Sequence, residues 1–299
     1  MKKIKKETAY RIEYILKSKD STPEETGRYK SSYREFDENQ NVILDITYLE
    51  DESVDQKYVN EFEGVKLIDE KVYFGSDELS EHNSYEYDGD VLSNMIIHYQ
   101  DGSRDNIRYE YDDNNNLLRK ETRDEDDDIE ELELRNYDNG LLISSKIFEN
   151  GDLENPVREE SVEYDEEGRI IQKVTYDHQE ERNQKQVFDY DENGYENMIK
   201  TYVNGQLQQK AIFKRDELGR ASQIIEEEPG QRVKVYQEFD DRGNVVKQQI
   251  YDKNEHELYN VHRKYDDNGN MTESLILKDE HGTGTPRMYK ISVDLEYFE

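Results

Sequence analysis

The 299-residue sequence contains no cysteine and no tryptophan, and only four prolines. Without cysteine, disulfides, thiolate nucleophiles and thiolate metal sites are all excluded. Basic residues are also scarce: 40 Lys and Arg stand against 73 Asp and Glu, for a formal net charge of −33. Nucleic-acid binding depends on neutralising phosphates, so direct DNA or RNA binding is not expected. The same charge would repel an anionic membrane surface. No stretch approaches the roughly 20 apolar residues that a membrane helix needs. The amino terminus, Met1-Lys2-Lys3-Ile4-Lys5-Lys6-Glu7, is basic but no apolar run follows it. A Sec signal is therefore not expected, and a cytoplasmic location is the simplest expectation.

What is present is aromatic and periodic. Only 32% of residues are hydrophobic, a level that by itself would suggest disorder, yet there are 24 Tyr and 8 Phe. They recur in a phrase seen most clearly at Tyr164-Asp165-Glu166-Glu167-Gly168-Arg169-Ile170-Ile171. Clean copies begin at Tyr190, Phe239 and Tyr265, and looser ones at Phe36, Phe62, Tyr87, Tyr111, Tyr137 and Arg215. Successive anchors lie 24 to 27 residues apart, so about ten units of roughly 25 residues fill the chain. A fixed period in the twenties marks a repeat architecture in which each unit buries its apolar surface against its neighbours.

Each unit has a physical reading. The Asp accepts hydrogen bonds from backbone N–H groups ahead of it, and the Gly supplies the positive φ that closes a short hairpin loop. The structural turn residues are thus Asp165 and Gly168, Asp191 and Gly194, Asp216 and Gly219, Asp240 and Gly243, and Asp266 and Gly269. Asn115 can take the same conformation, whereas Gln40 fits less well. After the turn, residues alternate between two faces as in a strand. A second, more variable turn closes the unit, as at Asp101-Gly102, Asn150-Gly151, Asn204-Gly205 and Pro229-Gly230. The predicted fold is an all-β, antiparallel β-hairpin repeat sheet, with tyrosine rows crossing it.

The tyrosine–aspartate phrase resembles the YD repeat of Rhs proteins, teneurins and the shell-forming subunits of bacterial toxin complexes. The likeness covers roughly residues 28 to 277 and is most specific from Tyr164 to Tyr251. It implies a continuous antiparallel sheet. In the large members that sheet spirals into a hollow shell, but here there are too few units to wind a closed one and no toxin tail follows Tyr265. The expectation is therefore an open sheet, curved or solenoid-like, forming a single elongated domain over residues 1–299. Residues 1–35 are read as N-terminal capping strands, 36–277 as ten YD-like repeats and 278–299 as a C-terminal capping strand. Ser18–Gly27 and Lys278–Pro286 read as loops, and the terminal strands as covers for the two open edges.

Chemistry is harder to find. Asp124-Glu125-Asp126-Asp127-Asp128, followed by Glu130 and Glu131, is the strongest local bias and falls at a variable turn. It is either a solvated loop or a docking site for a cation or a basic partner. Each turn offers one or two carboxylates, not the six to eight oxygens of a calcium site. The six His, at 82, 98, 178, 256, 262 and 281, show no ligand spacing. No nucleophile elbow, phosphate loop or dinucleotide fingerprint occurs, so no cofactor and no catalysis are expected. The functional expectation is a non-catalytic scaffold whose acidic, Tyr-rich sheet binds a cationic protein. The resemblance adds that the partner would be toxin-associated, with this chain an immunity, chaperone or adaptor protein. The alternative is a carbohydrate-binding module using exposed Tyr rows. Oligomeric state is left open.

Overall fold

A computed structural model describes residues 2–17, 21–75, 77–279 and 287–299. They form 22 strands: β1 (Ile4–Ile15), β2 (Glu24–Phe36), β3 (Val42–Tyr48), β4 (Val54–Glu63), β5 (Lys66–Phe74), β6 (Glu78–Asp88), β7 (Val91–His98), β8 (Arg104–Tyr111), β9 (Leu117–Arg123), β10 (Ile129–Asp138) and β11 (Leu141–Glu149). The series continues with β12 (Arg158–Tyr164), β13 (Ile170–Asp177), β14 (Arg182–Tyr190), β15 (Glu196–Val203), β16 (Gln206–Arg215), β17 (Ala221–Glu228), β18 (Gln231–Phe239), β19 (Val245–Tyr251), β20 (Glu257–Tyr265), β21 (Met271–Lys278) and β22 (Arg287–Tyr297). Of the two expected loops, Ser18 to Asp20 and Glu280 to Pro286 lie outside the described residues, while Gly27 lies within β2.

The described pairings are antiparallel and follow chain order, with one exception that changes the architecture. β1 pairs not only with β2 but also with β22, from Ile4 opposite Tyr297 to Tyr14 opposite Met288. The 22-stranded sheet therefore closes into a barrel. The expected open, curved or solenoid-like sheet is incorrect, and so is the inference that ten units are too few to close. The terminal strands do not cover two separate edges. They cover each other, and closure removes the edges altogether.

A recurrent irregularity supplies the curvature. The ladder within a hairpin slips by one residue just before the anchor aromatic, at Glu35/Phe36, Glu61/Phe62, Glu86/Tyr87, Glu110/Tyr111, Glu163/Tyr164, Asp189/Tyr190, Glu238/Phe239 and Lys264/Tyr265. Such a bulge bends its strand and increases the local twist, and repeating it in hairpin after hairpin coils a sheet.

The chain divides into two compact units. The first comprises Met1–Ser80, Phe213–Glu226 and Gly230–Glu299, with Ala9, Ile12, Val261, Ile276 and Val293 among its buried apolar residues. The second comprises Glu81–Ile212 and Glu227–Pro229, and buries Ile107, Leu132, Phe148 and Val162. Both cores are thin because most strand residues are half-buried. Across β11 to β13 both faces of the sheet carry charge. Lys146 pairs with Glu159 on one face and Lys173 with Glu160 on the other, at 2.7 and 2.8 Å. Among the described residues, no helix is long and apolar enough to cross a membrane.

Candidate functional site

The Asp of the repeated phrase is consumed by its own turn. Asp165 N–H donates to the Arg169 carbonyl at 2.9 Å, and Gly168 N–H to the Asp165 carbonyl at 3.1 Å, with Gly168 at φ 80°. Asp165 Oδ1 accepts the backbone N–H of Glu167 and Arg169, and Oδ2 accepts Arg169 Nε at 2.7 Å. The same backbone pattern holds at Asp191, Asp216, Asp240 and Asp266, with Gly194, Gly219, Gly243 and Gly269 in the left-handed region. Asn244 closes on Asp240 Oδ2 at 2.9 Å, and Arg220 on Asp216 Oδ2 at 2.7 Å. Burial alone would raise the Asp266 carboxyl, but hydrogen bonds from Tyr297, Asn270 and Asn268 outweigh it and bring the group down to about 2. A carboxylate so fully engaged is not available to a metal ion or a partner.

The anchor tyrosine has a role that alternation alone does not reveal. At the Asp-turn end, the ladder between one hairpin and the next stops short: β13 and β14 pair from Asp177–Arg182 only as far as Gln172–Val187. Tyr190 Oη bridges the remainder by donating to the Ile170 carbonyl at 2.7 Å. Tyr111, Tyr164 and Tyr265 do the same to Leu92, Leu142 and Val245, at 2.8 to 3.0 Å. Where the anchor is Phe62, Asn60 Nδ2 takes the Val42 carbonyl at 2.9 Å instead. At Phe239, Arg220 lies 4.5 Å over the ring and also donates to the Asp240 carbonyl. Gln40, which fitted the turn poorly, sits at φ 70°, and its side chain reaches another strand. Its Oε1 accepts Ile4 N–H at 2.8 Å and its Nε2 donates to the Ile4 carbonyl at 2.7 Å, holding the start of β1.

The acidic segment is a turn of the same backbone type. Asp124 N–H donates to the Asp128 carbonyl and Asp127 N–H to the Asp124 carbonyl, both at 3.1 Å. Asp124 Oδ1 accepts the N–H of Asp126 and Asp128. Asp127 occupies the left-handed position at φ 66°, where its carboxylate meets Arg108 at 3.1 Å and Arg123 at 3.6 Å. Glu131 pairs with Lys120 at 3.4 Å. Five of the seven candidate residues, Glu125, Asp126, Asp127, Asp128 and Glu130, are exposed, Asp127 with its carboxylate held by the two arginines. Glu130 is pushed above the usual carboxylate range by partial burial and by the nearby charges of Asp105 and Asp124. Tyr99 donates to Asp105 at 2.6 Å, and that bond, with burial and the charges of Asp105, Glu130 and Glu81, pushes its phenol up to about 12.

A second feature, in the first unit, lies on β18 and β19. Tyr236 and Tyr251 make an edge-to-face pair, 5.7 Å between centroids and 82° between planes. Gln249 Nε2 donates to Tyr251 Oη at 3.0 Å and to Glu257 Oε1 at 2.7 Å. Glu238 pairs with Lys247 at 2.8 Å, and Glu255 with Lys234. The result is an open groove of about 740 Å³ whose charges are balanced. The sequence did not show it: counting back from the Asp240–Asn244 closure places Tyr236 opposite Gln248, and only the one-residue slip at Glu238/Phe239 sets Tyr236 opposite Gln249 and Lys234 opposite Tyr251. Several other tyrosine rings are covered by cations, Lys30 lying 4.5 Å over Tyr33 and 4.4 Å over Tyr48, and Arg11 lying 4.2 Å over Tyr289. Among the described residues no group of three or more His, Asp or Glu is placed to hold a metal ion; His281 lies outside them.

No family model and no curated protein matches the sequence. Among solved structures, this chain is similar to chains of Tc toxin complexes. One belongs to the TcdB2-TccC3-Cdc42 structure, at 12% identity and a TM-score of 0.42 over 98% of this chain. Another belongs to TcdB2-TccC3-TEV, at 11% and 0.36 over 89%. The chain spans under a fifth of the length of either, 18% and 19%. A porin-like protein from Bacteroides uniformis is similar at 9% identity and a TM-score of 0.33, over 96% of this chain and 97% of its own.

Proposed function

We propose that this chain is a non-catalytic protein-binding scaffold whose acidic surface takes a cationic protein partner. The observation that carries this reading is the exposed run of carboxylates at Glu125, Asp126, Asp128 and Glu130; the Glu130 carboxyl is raised first by burial and then by repulsion from the nearby charges of Asp105 and Asp124. A basic side chain brought by a partner would relieve that repulsion. The chain's own Lys120, Arg108 and Arg123 are already engaged with Glu131 and Asp127. The finer reading is part of the same proposal. It places the chain among YD-repeat, Rhs-like proteins of bacteria, acting in the cytoplasm as an immunity, chaperone or adaptor protein for a toxin, and it rests on the tyrosine–aspartate turn.

Affinity purification of the tagged protein from its host at low salt tests the proposal. A basic protein should co-purify and be released as salt rises, because exposed charges are screened beyond about 8 Å at physiological ionic strength. The combined variant Glu125→Gln, Asp126→Asn, Asp128→Asn and Glu130→Gln should bind about ten-fold more weakly, a few tenths of a kcal/mol per exposed charge. Recovery of no basic partner, or full retention by the variant, overturns the reading.

A second reading is favoured by the Tyr236 and Tyr251 groove. A charge-balanced cleft with aromatic edges and amide donors suits a neutral, hydroxyl-rich ligand, which makes carbohydrate the alternative. Binding on a glycan array that is insensitive to salt and lost in Tyr251→Ala would favour it over the acidic scaffold.

A further inference from the structure

We propose that the step between β11 and β12 is an opening line built into the second unit, where two neighbouring hairpins separate locally while the flanking ladders stay paired. Three independent features converge there. The ladder is the shortest among the described pairings, running only from Ser144 opposite Ser161 to Ile147 opposite Arg158. By contrast, β11 pairs with β10 from Glu149–Glu131 to Leu141–Asp138, and β12 with β13 from Arg158–Asp177 to Tyr164–Ile170. Leu141 to Ile143 and Val162 to Tyr164 thus have no ladder between them. The bond from Tyr164 Oη to the Leu142 carbonyl, at 2.9 Å, spans that gap.

The connection is also the longest in this unit. β11 and β12 are joined by the eight residues Asn150 to Val157, whereas its other consecutive strands are joined by two to five. A tight turn holds strands together by geometry, whereas this connection is tied across the step by the bond from Val157 N–H to the Ile147 carbonyl, at 2.7 Å. Finally, the side chains across the step contribute little. Ser144 and Ser161 face each other without apolar surface, and the Lys146–Glu159 pair is half exposed, where such pairs are worth little. Three exposed aliphatic side chains, Leu141, Ile143 and Leu153, flank the line. Local opening is cheapest where ladder bonds and buried contacts are fewest.

Hydrogen exchange of the full-length protein under native conditions tests this. The alternate amides of Ser144, Lys146, Glu159 and Ser161 face β10 and β13 and should stay protected. The amides that face the step, those of Ser145, Ile147, Arg158 and Glu160, should exchange at least about ten-fold faster than the amides bonded across the adjoining ladder between Gln172–Asp177 and Arg182–Val187. Tyr164→Phe should accelerate them further. Oxidation of the double variant Ser144→Cys, Ser161→Cys should slow them to the level of that ladder, and reduction should restore the fast rate. If the crosslink does not form, Ser144→Val with Ser161→Val should slow exchange at the same amides by adding a β-branched cross-strand pair. Equal rates at the two steps in the unmodified protein, or no response to either pair of substitutions, would overturn the proposal.

Discussion

The turn from Asp165 to Arg169 and the turn from Asp124 to Asp128 have the same backbone and opposite surfaces. In both, the first Asp accepts two backbone N–H groups through Oδ1, and the fourth residue takes a left-handed conformation. In the first, Gly168 fills that position without a side chain, and Arg169 neutralises Asp165 before lying over the ring of Tyr190. In the second, Asp127 fills it, and two arginines, Arg108 and Arg123, are drawn in to hold its carboxylate. Glu125, Asp126 and Asp128 are left to solvent. The count of acids in a loop therefore does not measure the charge it presents. What matters is which carboxylates the turn itself consumes.

The comparison can be broken most sharply at a turn glycine. No atom lies within 4 Å of a Cβ built on Gly243, so the only cost of a side chain there is its φ of +87°. Gly243→Val should lower stability by about 1–3 kcal/mol in denaturant unfolding. Unchanged stability would mean that the turn does not demand the left-handed conformation. Acid offers the next test. Asp266 is depressed in the folded protein, to about 2 from an ordinary 3.8. Its contribution should be fully present above about pH 4 and be lost as pH falls toward about 2. Thermal unfolding followed over that window should show a shallower fall in Asp266→Ala than in the parent protein.

Smaller effects separate the hairpin-to-hairpin bond from the turn. Tyr190→Phe removes the donor to the Ile170 carbonyl while keeping the ring, and should cost about 0.5–1.5 kcal/mol. The smallest effect belongs to Asp127→Gly. Relief of a left-handed non-glycine residue, about 1 kcal/mol, is offset by the loss of exposed ion pairs worth about 0.2–1 kcal/mol. The midpoint of denaturation should therefore barely move. A large loss would show that the arginine contacts of Asp127 matter more than exposed pairs ordinarily do.

The antiparallel, all-β character was legible because it is written locally, in alternation after each turn and in the spacing of Asp and Gly. Gln40 was not legible as anything but a misfit, since the group it serves, the backbone of Ile4, is 36 residues away. The hydroxyl of Tyr164 is a similar case. Its partner carbonyl, on Leu142, becomes available only because the ladder stops short, and ladder length is not encoded in any one strand. Among the acids, sequence named the segment but not the member held by arginine, because Arg108 reaches Asp127 from a different hairpin.

Composition and periodicity by themselves determined a strand-forming chain without cysteine chemistry, strongly acidic and rich in tyrosine, because each of those properties belongs to residues singly or to near neighbours. Only the tertiary structure decided that the sheet closes. Closure sums a small bend at one bulge after another until Ile4 meets Tyr297, and a pairing between residues 293 positions apart leaves no mark within either strand.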